Sequence, residues 1–127
     1  MNAATQLELQ VCRQCARVQY PVREVCRDCL SGELEFQPVD GGGELLSWCR
    51  LHASLEPLFQ QRLPWIVVSV RLQSGPVVLA HWAGAEPVIG QAVDVHGVSD
   101  PEGRQVLAAI PQGSDPGAAG ALFSSQP

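Results

Sequence analysis

Cysteine carries the clearest chemistry in this chain. Two Cys-x-x-Cys pairs, Cys12/Cys15 and Cys26/Cys29, lie ten residues apart in the stretch CRQCARVQYPVREVCRDC. A Cys-x-x-Cys knuckle curls the backbone so that both sulfurs point to one side. Two facing knuckles offer four thiolates in the tetrahedral arrangement that Zn2+ accepts in structural sites. Such a zinc has no open position and cannot activate water. Its work would be to fold a segment in which Val11, Val18, Val22, Val25 and Leu30 are too few to form a core. Arg13, Arg17, Arg23 and Arg27 lie in or beside the pairs and soften the negative charge of such a centre, each by little at a surface. Two disulfides would suit a secreted chain. A redox dithiol usually shows one Cys-x-x-Cys beside a βαβ unit. A rubredoxin-type iron could use the same ligands. The paired spacing favours structural zinc.

No other constellation is as complete. Cys49 follows Trp48 in a β-type stretch. Free cysteine is most often a small buried hydrophobe; a nucleophile would need a base. His52 lies three residues along the same strand and so points to the opposite face. His81 or His96 would have to be a cross-strand neighbour. Trp48, Trp65 and Trp82 could stack on an adenine or on nucleic-acid bases, but tryptophans more often fill cores and protein interfaces. Arg50 and Arg71 are candidates for a phosphate or carboxylate, against the plain alternative of solvated strand positions. Asp94, between Val93 and Val95, reads as outward-facing. The run DGGGE at 40–44 has no strand–helix context for a phosphate loop and reads as a flexible hinge.

A mainly β chain must position these residues. Residues 1–10 read as a short lead-in, and 11–32 hold the cysteine pairs. The candidate strands are ELEFQPV, ELLSWCRLH, WIVVSVRL, PVVLAHW, QAVDVHGV and RQVLAAI, separated by GGG, SGP, AEPVIG and SDPEG. In WIVVSVRL, Ile66, Val68, Val70 and Leu72 suit a core face, while Trp65, Val67, Ser69 and Arg71 form a mixed face. PVVLA is apolar on both faces and reads as a well-buried strand. Short strands with no clear helix between them fit a small barrel rather than a βαβ sheet. The long connection SLEPLFQQRLP at 54–64 carries Leu55, Leu58, Phe59 and Leu63. That is more apolar surface than a free loop should expose, so it reads as a partner-docking segment. Residues 111–127 are rich in Pro, Gly, Ala and Ser, the composition of a mobile tail.

Composition narrows the function. The chain has 127 residues, with 8 basic against 13 acidic and a formal charge of −5. Every base is Arg. That length suits one domain, or a small module plus one domain. No apolar run approaches the roughly 18 residues of a membrane span, and the first ten residues lack the pattern of a signal peptide. A cytoplasmic location is expected, where thiols stay reduced and available to metal. Phosphate-backbone binding draws on clustered cations. After Cys29 only Arg50, Arg62, Arg71 and Arg104 remain, against ten acids, so nucleic acid is a poor partner.

Taken in order, four motifs resemble a known family. They are the pair Cys12/Cys15; YPVREVC leading into Cys26/Cys29; LLSWCRLH, with Cys49 where the family usually has Thr; and PWIVVSVRLQSG followed by IGQAVDV, with Pro64, Trp65, Gly75, Ile89, Gly90 and Val93 in place. This set is similar to the domain-of-unknown-function-35 family, a rubredoxin-like zinc ribbon followed by an OB-fold and associated with acyl-CoA metabolism. Ala16 and Leu30 stand where that family often has Gly. The resemblance implies a zinc ribbon at 9–35, a five-stranded OB-fold barrel at 36–111 and a disordered tail at 112–127. It also implies a non-catalytic accessory subunit of a thiolase-superfamily enzyme (thiolase, acyltransferase or aldolase) in a hetero-oligomer. The partner would carry the nucleophile, and this chain would complete the channel for a CoA thioester and stabilise the partner. Arg50, His52 and Arg71 would then meet the CoA phosphates or the thioester. Leu55, Leu58, Phe59 and Leu63 would join the ribbon as the partner face. The competing readings are a nucleic-acid-binding OB module with a structural ribbon and a free-standing enzyme using Cys49.

Overall fold

A computed structural model describes residues 4–53 and 64–122. Its strands are β1 (Glu8–Cys12), β2 (Val18–Gln19), β3 (Leu34–Pro38), β4 (Gly42–Leu51), β5 (Trp65–Leu72), β6 (Val77–Trp82), β7 (Ala92–Ser99) and β8 (Gln105–Pro111). One helical turn, α1 (Gly117–Gly120), follows. The first three strands form a sheet in the order β2-β1-β3, and the other five close a barrel in the order β4-β5-β6-β8-β7. Pairing in the barrel is antiparallel except between β6 and β8, where His81 and Trp82 run parallel to Ala108 and Ala109. That order is the Greek-key path of an OB-fold.

Closure depends on β4, which pairs with β5 along most of its length and with β7 at its first residues, Gly42↔Asp94 and Gly43↔Val93. A register shift between Leu45 and Ser47 bends the strand so that one segment serves both neighbours. The sequence suggested a hinge at the glycine run; the structure corrects this. A Cβ on Gly41 would collide with the Val95 carbonyl oxygen, and one on Gly43 with the Arg71 carbonyl oxygen. The glycines let backbones approach closely where the barrel shuts.

The barrel interior holds Leu45, Val68, Val70, Leu72, Val78, Ala80, Val93 and Val95, all buried. The alternation read in β5 holds, since Val68, Val70 and Leu72 point inward and Ile66 packs at the margin. The expectation for β6 does not. Val78, Ala80 and Trp82 are buried, but Val77 is 46 % exposed and Leu79 58 %, so the strand is apolar on both faces and buried on one. The lead-in is likewise more than a lead-in. Thr5 bridges to Gly97, Val39 N–H donates to the Leu7 carbonyl at 2.9 Å, and Leu7 and Leu9 enter the same core as the barrel valines. In the segment after Pro111, α1 buries Ala119 beside Val98, Ala108 and Ile110.

The β7–β8 turn is built on a buried acid. Asp100 accepts from the Glu102 and Arg104 backbone N–H groups at 2.9 and 2.8 Å and from the Arg104 guanidinium at 2.6 Å. Burial pushes its carboxyl up, but the Arg104 and Glu102 hydrogen bonds outweigh this and hold it below the usual aspartate range. A folded pKa below the unfolded one gives stability that is present above the unfolded value and lost as pH falls through the folded one. Asp100→Ala should therefore cost about 2 kcal/mol near neutrality. The gap from the parent should narrow as urea melts are taken to acid pH.

Candidate metal centre and adjoining surfaces

The four paired cysteines converge. Their sulfurs all lie within 4.8 Å of one another, with Cys12 Sγ to Cys29 Sγ at 3.5 Å and Cys15 Sγ to Cys26 Sγ at 3.6 Å. A tetrahedron with Zn–S bonds of about 2.3 Å has edges of about 3.8 Å. Each knuckle also aims backbone donors at its first sulfur. Gln14 and Cys15 N–H reach Cys12 Sγ at 3.4 and 3.5 Å, and Asp28 and Cys29 N–H reach Cys26 Sγ at 3.4 and 3.5 Å. These donors hold the Cys26 thiol down to about 6 and lower that of Cys12. For Cys15, desolvation and the neighbouring sulfurs overcome the pull of the Arg17 N–H and push the thiol up to about 12. One thiol of each close pair ionises at the expense of the other. Only a cation among them lets all four become thiolates, so the donor set fits a thiophilic dication with no position left for water.

Two features of the local chain make this shape. Ala16 and Leu30, each one residue past the second cysteine of a knuckle, have φ of 66°. Their N–H groups close the knuckles onto the Cys12 and Cys26 carbonyls at 2.8 and 2.9 Å. This left-handed conformation costs a side chain about 1–2 kcal/mol, which explains glycine as the ordinary residue there. Second, the loop carrying Cys26 is clamped by two buried glutamines that the sequence reading passed over. Gln10 donates to the Arg23 carbonyl and accepts from the Arg23 N–H, both at 2.9 Å. Gln19 donates to the Gln10 side chain and the Val25 carbonyl, and accepts from the Arg27 N–H at 3.0 Å. A lone Gln carries no periodic signal, and only its burial reveals the role.

The other candidates are dispersed. Arg50 pairs with Glu86 at 3.0 Å and lies over the Trp48 ring. It is opposite Ile66, whereas Arg71 stands five residues further along β5 and on the other face. At about 3.4 Å per residue they are roughly 17 Å apart. His52 lies beyond the end of β4, exposed. Arg50 and Arg71 thus do not share one site. Leu55, Leu58, Phe59 and Leu63 lie outside the described residues. Cys49 is exposed, against the expectation of burial. It pairs with Val67, which pairs in turn with His81, so two strand spacings of roughly 5 Å each separate the backbones of Cys49 and His81. Trp82 is buried and donates to the Ala85 carbonyl. Trp65 donates to His81 Nδ1 at 2.9 Å, and Trp48 packs on the core margin. All three are absorbed by the fold.

A four-thiolate ribbon sharing a core with an OB barrel defines the class, a zinc-ribbon OB-fold protein. Residues 3–35 match the family model for the ChsH2 rubredoxin-like zinc ribbon domain, and residues 36–98 match that for the ChsH2 C-terminal OB-fold domain. The chain belongs to the ChsH2 family, the domain-of-unknown-function-35 group that its motifs resemble. A solved chain of an Ltp2-ChsH2(DUF35) aldolase is similar at 25% identity over 84% of this chain and 84% of that one, with a TM-score of 0.69.

Two substitutions should move the centre in opposite directions. Leu30 is 72 % exposed, so Leu30→Gly removes backbone strain without removing packing and should stabilise the ribbon by about 0.5–1 kcal/mol. Gln19→Leu strands the Arg27 N–H and should cost about 2–3 kcal/mol. Zinc transfer to a chromogenic chelator should slow in the first variant and quicken in the second.

Proposed function

We propose that this chain is the non-catalytic accessory subunit of a thiolase-superfamily enzyme acting on acyl-CoA. In this reading zinc is held by Cys12, Cys15, Cys26 and Cys29 as a structural ion. The ribbon and barrel wall the channel through which the acyl thioester reaches the partner's nucleophile, excluding water and fixing the reacting geometry. The observation that carries the reading is the outer surface of β5–β6 and β3. Val77, Leu79 and Phe36 stand exposed there on a rigid scaffold, as an interface awaiting cover does. The Ltp2-ChsH2(DUF35) aldolase supports it as a complex in which a similar chain accompanies an enzyme. In this reading the segment with Leu55, Leu58, Phe59 and Leu63 also docks on the partner, and any contact of Arg50 or Arg71 with CoA is made singly, at separate places.

The nucleic-acid reading fares worse. In OB-folds the face of the second and third strands binds oligonucleotides. Here those strands are β5 and β6, and their outer face carries Val67, Ser69, Arg71, Val77, Leu79 and His81. One arginine and two bare aliphatics suit neither phosphates nor base stacking. Trp65, at its end, is engaged edge-on with His81 at 5.6 Å between ring centroids.

Co-expression with a thiolase-type partner should give a co-eluting complex and a larger soluble yield of the partner than expression alone. Elemental analysis should find one zinc per chain. In the active complex Cys49→Thr should retain activity to within a few-fold. A loss of about 10³ without unfolding would instead assign Cys49 to the chemistry.

A further inference from the structure

Of the four paired cysteines, Cys12 and Cys26 are buried, and Cys15 and Cys29 are exposed. The two exposed ones differ in their surroundings. Cys15 is the one cysteine of the four that lines a pocket of about 580 Å³ between the knuckles and the β5–β6 turn. Ser74 and Gly75 of that turn line its barrel side. Arg17 and Arg27, one beside each knuckle, line its ribbon side with a single carboxylate, Asp28. Among the described residues neither guanidinium has an ion-pair or hydrogen-bond partner. Arg13, outside the pocket, is held by Glu33 and Glu35. Softening the charge of a metal–thiolate centre needs no pocket and works from any side. An exposed cysteine beside two uncommitted cations is instead the setting in which thiolates react, whereas buried structural cysteines are inert.

A second thiol stands ready. Cys26 Sγ lies 3.6 Å from Cys15 Sγ, on the other knuckle. Gln19 fixes it from both sides, donating to the Val25 carbonyl and accepting from the Arg27 N–H. The loop therefore keeps the two sulfurs close, and a disulfide needs them to close to about 2.05 Å. We propose that Cys15 is a site of oxidation by hydroperoxides, with Cys26 as the thiol that resolves it. The Cys15 thiolate attacks one peroxide oxygen; an S–O bond forms, the O–O bond breaks, and hydroxide leaves toward Arg17 and Arg27, which meet its charge. The Cys26 thiolate then attacks the sulfenic sulfur, forms the S–S bond and expels a second hydroxide. The two sulfurs have lost two electrons, the peroxide has gained them, and two protons from solvent complete two waters. The chain now offers two thiolates where it had four, so its hold on zinc falls. The proposal rests on the structural-zinc part of the reading above for its thiolates and is independent of the accessory-subunit part.

Treatment of the full zinc-loaded chain with hydrogen peroxide tests this. Peptide mapping after rapid alkylation should show Cys15–Cys26 as the first disulfide, and a chromogenic chelator should report zinc release in step with it. The double variant Arg17→Gln/Arg27→Gln, at exposed positions, should slow both signals by about tenfold. Its zinc transfer without peroxide should stay at the parent rate. The double variant Arg13→Gln/Arg23→Gln removes the same charge from outside the pocket and should leave both signals within about twofold of the parent. A first disulfide at any other pair, equal rates in the two double variants, faster zinc transfer without peroxide in Arg17→Gln/Arg27→Gln, or no disulfide at all would overturn the inference. Elemental analysis of the starting chain is read separately. If the chain carries no zinc yet forms the Cys15–Cys26 disulfide, the structural-zinc reading falls and the oxidation site stands. If it carries zinc and is inert to peroxide, only the oxidation site falls.

Discussion

Four cysteine sulfurs within 4.8 Å of one another repel as thiolates, and only a cation at their centre relieves that repulsion. The ribbon is organised around this conflict. Its backbone turns left-handed after each knuckle, at Ala16 and Leu30, which closes the knuckle onto its first carbonyl and brings the Arg17 and Ser31 N–H groups to the sulfurs of Cys15 and Cys29. It also commits two buried amide side chains, Gln10 and Gln19, to holding the second knuckle opposite the first. The loop placed in this way includes Tyr20 and Val22, which line a cleft between the ribbon sheet and the barrel. The metal site thus sets the position of side chains exposed in that cleft.

The barrel answers a different constraint, the closure of five strands, and the two solutions meet in one core. Leu7 and Leu9 pack with the barrel valines while β1 pairs with β3 in the ribbon sheet. The boundary between the two family matches, at residues 35 and 36, falls inside β3. Two units that are separate in sequence share one core here, which holds the ribbon against the barrel.

Much of this was legible in the residues. The metal cluster follows from Cys-x-x-Cys spacing alone, because two knuckles leave few other arrangements. The strands follow from period-two alternation and turn residues, and the barrel from their number. What stayed hidden depends on distance across the fold. The run at 40–44 looks like slack until β7 and β5 are seen pressed against Gly41 and Gly43. The segment PVVLA shows two apolar faces but cannot say which one is covered. Gln10 and Gln19 look like surface residues, and their burial comes from a loop folding back over them. The dispersal of Arg50 and Arg71 to opposite faces follows from the register shift in β4, which no local pattern announces.

The shared core also bears on how such proteins can be recombined. A ribbon excised at the sequence boundary would leave β3 cut within its span, and Leu7 and Leu9 stripped of the barrel side chains that cover them. The remaining barrel would lose the edge contact between Thr5 and Gly97. The ribbon is therefore not a transplantable cassette. A chimera that swaps it between relatives to alter ligand or partner choice must carry the residues from about Ala4 through Val39 as one block and match the barrel surface beneath them.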